Sequence, residues 1–129
     1  MKMICGIGID IVNVKRIKNL IDRWGNSFIE RIYTDDEIFY CESRSKTSQH
    51  YAARFSAKEA FFKMLSTETE KFSFKDVEVI NNSTGKPEFD FSPVVEKILK
   101  DKNIVRVHLS LTHEKKYAAA QVIGEGVVE

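Results

Sequence analysis

The sequence predicts an α+β fold, an antiparallel sheet packed by several helices, and three observations carry that prediction. Period-two apolar runs stand at the two ends of the chain: residues 3 to 13, and the consecutive stretches IVRVHLSLT and YAAAQVIG joined by the tight loop HEKK. Helical periodicity is gathered mostly between them. A turn rich in Asn, Gly and Pro, NNSTGKP, folds the middle of the chain back on itself. Repeated βαβ units would alternate helix and strand throughout, so this order favours antiparallel pairing. At 129 residues, the chain suits one domain, 1–129, with a core that needs no staples.

In MICGIGIDIVN, Ile7, Ile9 and Ile11 share one face, while Gly6, Gly8, Asp10 and Val12 share an unusually bare second face. VKRIKNLIDRW follows as an amphipathic helix, with Ile17, Leu20, Ile21 and Trp24 on its apolar stripe and Gly25 at its end. SFIERIY is a short helical turn. In TDDEIFYCESR, Thr34 and Glu37 form a capping box ahead of another helix. The polar tract SRSKTSQ reads as a loop, and YAARFSAKEAFFKML, residues 51 to 65, as a helix. FSFKDVEVI, residues 72 to 80, reads as a strand and EFDF as its return. SPVVEKILKD is a helix capped by Ser92 with Pro93 in its first position.

Composition narrows the function classes. Hydrophobic residues make up 43% and charged ones 30%, and the net charge is about +1. That balance argues against a nucleic-acid binder with a broad basic field. Cys5 and Cys41 match no metal spacing and read as free thiols in a reducing compartment. Asp10 breaks the N-terminal apolar run, no cleavage site follows it, and no segment reaches the uncharged length that spans a bilayer. A cytoplasmic protein with no membrane partner is expected.

The helix at 51 to 65 carries the first chemical signal. At about 100° per residue, Phe55, Phe62 and Leu65 fall within about 40° of Tyr51. Lys58 lies inside that arc and Glu59 just beyond it. Lys58 has a stem long enough to snorkel, whereas Glu59 has less freedom to escape. An i,i+4 pair of Glu59 with Lys63 would explain the helix without function. Asp10, inside an apolar strand, needs a partner, a proton or a cation. If Asp10 and Glu59 converge, they make a hard-cation site of the Mg²⁺ type, completed by substrate phosphates. Arg54, Lys58 and Lys63 would then face a polyphosphate.

Weaker signals surround this one. The loop containing Gly85 and Lys86 suits a phosphate or nucleotide contact, but equally a plain hairpin turn. Arg106, His108, Ser110 and Thr112 line one strand face, with His113 beginning the next loop. The first helix carries Lys15, Arg16, Lys18 and Arg23 against Asp22, a face that would dock an acidic partner or simply be solvated.

In their order along the chain, GIGIDIVNVKRI, RFSAKEAFFK, GKP and LSLTHEKKYAAAQV resemble the holo-acyl-carrier-protein synthase family, the small phosphopantetheinyl transferases. The resemblance spans about residues 4 to 123 and implies a 4′-phosphopantetheinyl transferase-like fold. It departs from the family's central motif at Ser56, where Ala is frequent, a small residue expected to face away from the stripe with little consequence. It implies transfer of the 4′-phosphopantetheine arm of coenzyme A to a serine of apo acyl carrier protein, releasing adenosine 3′,5′-bisphosphate and supporting fatty acid biosynthesis.

By similarity, Asp10 and Glu59 hold Mg²⁺, Lys63 neutralises the transferred phosphate, and Arg54 and Lys58 flank it. Gly85, Lys86 and Pro87, with Thr112 and His113, resemble the parts that hold the 3′-phosphoadenosine end. Arg16, Leu20, Arg23 and Phe28 resemble the carrier-docking surface. A homotrimer with coenzyme A between subunits is implied. Either Glu59 or a water on the metal would take the serine proton, and the residues alone leave both open. A coenzyme A-binding module without turnover and a Mg²⁺-dependent phosphohydrolase are the competing readings. Neither accounts for both carboxylates and the order of motifs together.

Overall fold

The computed structural model describes residues 1–66 and 72–127. In chain order the elements are β1 (Lys2–Asn13), α1 (Val14–Trp24), α2 (Asn26–Ile32), α3 (Asp35–Glu42), α4 (Thr47–Leu65), a 3-10 turn (Phe74–Asp76), β2 (Val77–Asn81), β3 (Pro87–Phe91), α5 (Pro93–Asp101), β4 (Ile104–His113) and β5 (Tyr117–Val127). Two antiparallel sheets result, one of order β1-β5-β4 and one formed by β2 and β3 alone. No helix among the described residues is long and apolar enough to cross a membrane.

Helix α4 lies across the larger sheet, and β1's glycines are what let it approach. A Cβ on Gly8 would stand 1.9 Å from the Ala60 carbonyl oxygen, and one on Gly6 2.3 Å from that of Met64. Strand backbone and helix backbone therefore touch, which only glycine permits. The bare face of β1 is thus the buried one. Its isoleucines point the other way: Ile7, Ile9 and Ile11 are 59%, 65% and 67% exposed. Across the sheet they stand level with Ile123, Gln121 and Ala119, and then with His108, Ser110 and Thr112. One whole face of the sheet is uncovered, and it is apolar along β1.

Two apolar clusters flank α4. On one side Phe61, fully buried, meets Phe89 and Phe91 from the small hairpin; burying such a ring contributes about 2–3 kcal/mol. On the other, Ile17, Tyr33 and Tyr51 are fully or almost fully buried, and the Tyr33 hydroxyl donates to the Tyr51 carbonyl at 2.8 Å.

Several boundaries differ from the sequence reading for local reasons. Helix α4 begins at Thr47, so the last three residues of the polar tract read as a loop are helical, and the Thr47 hydroxyl donates to the Arg44 carbonyl at 2.7 Å. The strand expected over residues 72 to 80 starts only at Val77. Before it, the Asp76 carboxylate accepts the Ser73 N–H at 2.7 Å and curls the chain into the 3-10 turn. Trp24, assigned to the core stripe of the first helix, is 54% exposed, because Gly25 ends α1 there with φ of 55° and turns the chain into α2.

Candidate active site

Strand β1 delivers Asp10 on its buried face, and α4 delivers Glu59 and Lys63 from the helix packed against that face. The Lys63 ammonium donates to Asp10 Oδ1 at 3.1 Å and to the Ile9 carbonyl at 3.1 Å. It is directed to Asp10, not spent on the helical pair with Glu59. Glu59 stands near enough to feel both. Burial and then the Asp10 charge raise its pKa above 4.5, while Lys63 and Arg16 act to lower it. Asp10 and Glu59 thus stand on facing elements, within reach of each other's charge.

Ser56 belongs to this site too, contrary to the expectation that it faces away. It is fully buried, and its hydroxyl donates to the Asp10 backbone carbonyl at 2.9 Å. It pins β1 to α4 at Asp10. The signal was the departure from the family motif itself: a hydroxyl where Ala is frequent needs a partner when buried.

No cluster of three or more His, Cys, Asp or Glu able to hold a metal occurs among the described residues. The chain's own donor set here is two carboxylates with an ammonium beside them. Two hard oxygens suit a cation that keeps water and phosphate as its remaining ligands. Burial first and then the Asp10 charge hold the Glu59 pKa up, and a divalent cation beside Glu59 would offset both.

A second group of polar residues gathers on the other flank of α4. The Arg54 guanidinium is buried, stacks over the Tyr40 ring at 4.0 Å, and donates through Nη2 to Asn81 Oδ1 at 2.9 Å. Its Nε is buried without a partner. The Asn81 amide in turn donates to the Gly85 carbonyl at 3.0 Å, tying the turn to Arg54. Gly85 itself has φ of 86°, a backbone that side chains resist. His113, at the end of β4, bonds Gln49 at 2.9 Å and meets the His50 ring edge-on, and His50 packs on Tyr40. Burial and neighbouring cations, Lys46 and Arg54 for His113, hold both imidazoles below their usual 6.5. This is a site short of negative charge.

Tyr40, Gln49, His50 and Asn81 were not anticipated. The spacing of His50 and Arg54, four residues apart on one helical face, was the available signal. Lys86 and Pro87 line a groove of about 370 Å³ with Arg106 and His108. Thr112 lies exposed on the uncovered sheet face, beside Ala119 and facing away from α4.

Lys58 is a correction. It does not snorkel and does not flank a phosphate. Its side chain is completely buried, and its ammonium donates to Glu37 Oε1 at 2.8 Å, the Phe74 carbonyl at 2.9 Å and the Val77 carbonyl at 2.8 Å. All three protons are used inside the fold.

Arg16 and Arg23 of α1 are exposed, and Leu20 of α1 and Phe28 of α2 are half-buried. Lys18 is neutralised by Asp22 at 2.8 Å. Leu20, Trp24, Phe28 and Arg31 border a shallow depression of about 300 Å³.

Residues 6–122 match the family described as the 4′-phosphopantetheinyl transferase superfamily. The chain is similar to a holo-[acyl-carrier-protein] synthase from Halothermothrix orenii, 46% identical over 95% of this chain and 98% of that one. Among solved structures it is similar to the holo-[acyl-carrier-protein] synthase of Neisseria meningitidis, with TM-score 0.88 and 38% identity over 95% of this chain and 98% of that one. It is similar also to that of Bacillus anthracis in complex with CoA (3′,5′-ADP), with TM-score 0.79 and 38% identity over 97% and 99% of the two chains. With nearly the whole chain matched in sequence and in fold, this protein belongs to the 4′-phosphopantetheinyl transferase superfamily, among the holo-acyl-carrier-protein synthases.

Proposed function

We propose that the chain transfers the 4′-phosphopantetheine arm of coenzyme A to a serine of apo acyl carrier protein, in support of fatty acid biosynthesis in the cytoplasm. The observation that carries this reading is the meeting of Asp10, Glu59 and Lys63 across the β1–α4 contact. The serine oxygen bonds to the phosphorus that carries pantetheine. The pyrophosphate bond to the 3′-phosphoadenosine portion breaks, and adenosine 3′,5′-bisphosphate leaves with that bond's electrons. The serine proton passes to Glu59, whose raised pKa equips it to accept one.

Asp10 and Glu59 would hold Mg²⁺, which supplies charge neutralisation to the pyrophosphate when bound. Lys63, half-exposed beside Asp10, turns toward the phosphate being transferred. Such transfer depends on positioning and charge more than on covalent help from the protein. Arg54, His113 and the Gly85–Lys86–Pro87 turn receive the 3′-phosphoadenosine end, with Thr112 beside them on the outer face. Arg16, Leu20, Arg23 and Phe28 receive the acidic carrier.

A homotrimer fits two features. The isoleucine face of β1 needs a cover. The carboxylate group and the arginine–histidine group sit towards opposite edges of one sheet, β1 and β4. A head-to-tail ring brings the β1 side of one copy to the β4 side of the next and closes on itself.

The test is direct. Apo carrier, coenzyme A and Mg²⁺ are mixed with the protein and the intact mass of the carrier is measured. A gain of one phosphopantetheine is expected. An unchanged carrier with hydrolysed coenzyme A overturns the reading in favour of a phosphohydrolase, and an unchanged carrier with intact coenzyme A leaves a binding module.

A further inference from the structure

The hairpin of β2 and β3 shares no ladder with the larger sheet. Its outer edge is held by side chains instead of by a strand. The Val79 N–H donates to Glu37 Oε2 at 2.8 Å, and the Val77 carbonyl accepts from Lys58 at 2.8 Å. Glu37 is itself fixed: its Oε1 takes the Thr34 N–H at 2.9 Å and the Lys58 ammonium at 2.8 Å. The Thr34 hydroxyl donates to the Glu78 carboxylate. One buried carboxylate and one buried ammonium thus join α3, α4, the 3-10 turn and β2 at a single point.

A pair of this kind is a poor source of stability, because desolvating two charges offsets most of their attraction. Apolar side chains of similar volume would fill the space as well. They would not fix direction. Here five hydrogen bonds set where β2 lies along α4. One helical turn before Lys58, Arg54 takes hold of the far end of the same strand through Asn81, and Asn81 holds Gly85. Lys58 and Arg54 secure the two ends of β2.

The geometry points to Glu37 and Lys58 as positioning residues for the coenzyme A site: they hold β2 so that the Gly85–Lys86–Pro87 turn stands beside Arg54. Neither touches the substrate. This inference rests on the functional reading above, which gives that turn to the 3′-phosphoadenosine end. It predicts a selective defect, in recognition of the 3′-phosphate and not in transfer itself.

The test uses Glu37→Gln, and the double variant Glu37→Gln with Lys58→Met, which restores electroneutrality to the buried site. Steady-state transfer to apo carrier is measured with coenzyme A and with dephospho-coenzyme A. The double variant is expected to raise the coenzyme A KM about tenfold, with kcat, carrier KM and the dephospho-coenzyme A KM close to wild type. A wild-type preference for coenzyme A over its dephospho form in the double variant overturns the inference, as does an equal loss with both substrates. For variants that do not fold, amide exchange on the wild type decides. Adenosine 3′,5′-bisphosphate should slow exchange at Val79 together with Gly85 and Lys86; slowing at the turn with Val79 unchanged overturns the inference. Absence of transfer by the wild type, in contrast, sinks the functional reading itself.

Discussion

Lys63 and Asp10 are joined across two elements, the ammonium of α4 lying 3.1 Å from the carboxylate of β1. Glu59, one helical turn earlier, faces the same carboxylate; burial first and then Asp10 raise its pKa, while Lys63 and Arg16 act to lower it. The roles proposed for the three differ, so each should fail separately. Asp10→Asn and Glu59→Gln should lower kcat by about 10²–10³-fold with circular dichroism unchanged. A Mg²⁺ titration should show half-saturation moved upward. Normal turnover by either variant across that titration contradicts the carboxylate assignment.

Much of this was legible in the sequence. Asp10 on a glycine-bared strand and Glu59 beside an apolar stripe both advertise an inward charge, and the capping boxes and N-caps at Thr34 and Ser92 stand where residue type places them. The fate of Lys58 was not legible, because its acceptors come from Glu37, Phe74 and Val77, all distant along the chain. The same limit applies to Trp24, whose exposure depends on where Gly25 sends the next helix. Periodicity reports that two faces differ. It does not report which neighbour covers each, so the isoleucine and glycine faces of β1 could be told apart but not assigned.

Glu59 gives a pH signature. Its folded pKa lies above the unfolded value of 4.5 through burial and Asp10. The folded state therefore keeps its proton to higher pH than the unfolded chain, and stability falls as pH rises from 4.5 through the folded pKa. In the absence of divalent cations, Glu59→Gln should melt at a higher temperature than wild type at pH 7. The gap should close below pH 4.5. Equal melting temperatures at every pH would contradict a Glu59 carboxylate held up by burial and by Asp10.

Gly8 tests how closely β1 and α4 must approach. In Gly8→Ala the new methyl would meet the Ala60 carbonyl oxygen at 1.9 Å and the Met64 nitrogen at 2.7 Å, both backbone atoms that cannot rotate away. A loss of about 2–3 kcal/mol is expected in urea unfolding. Because Asp10 and Glu59 ride on these two elements, activity should fall further than the folded fraction does. Activity that merely tracks the folded fraction would show that the spacing is not critical.

Charge reversal separates docking from chemistry. Arg23→Glu should raise the carrier KM several-fold and flatten its dependence on salt, leaving coenzyme A binding alone. Arg16→Glu should do more, because Arg16 also acts on Glu59. It should raise the pKa of Glu59 further and move the acidic limb of the rate profile upward. Identical carrier kinetics in wild type and Arg23→Glu would refute the docking face.

The carboxylates and His113 lie towards opposite edges of one sheet, so the proposed ring would let the defects of one copy be shared with another. In the proposed ring Asp10 of one copy would work with His113 of its neighbour, so Asp10→Asn and His113→Ala would damage different members of each junction. Co-expressed, the two crippled variants should assemble into mixed rings in which roughly a quarter of the junctions receive both sound halves. At limiting coenzyme A, such a mixture should exceed the sum of its parts measured alone. A copy that kept both halves for itself would show no such rescue.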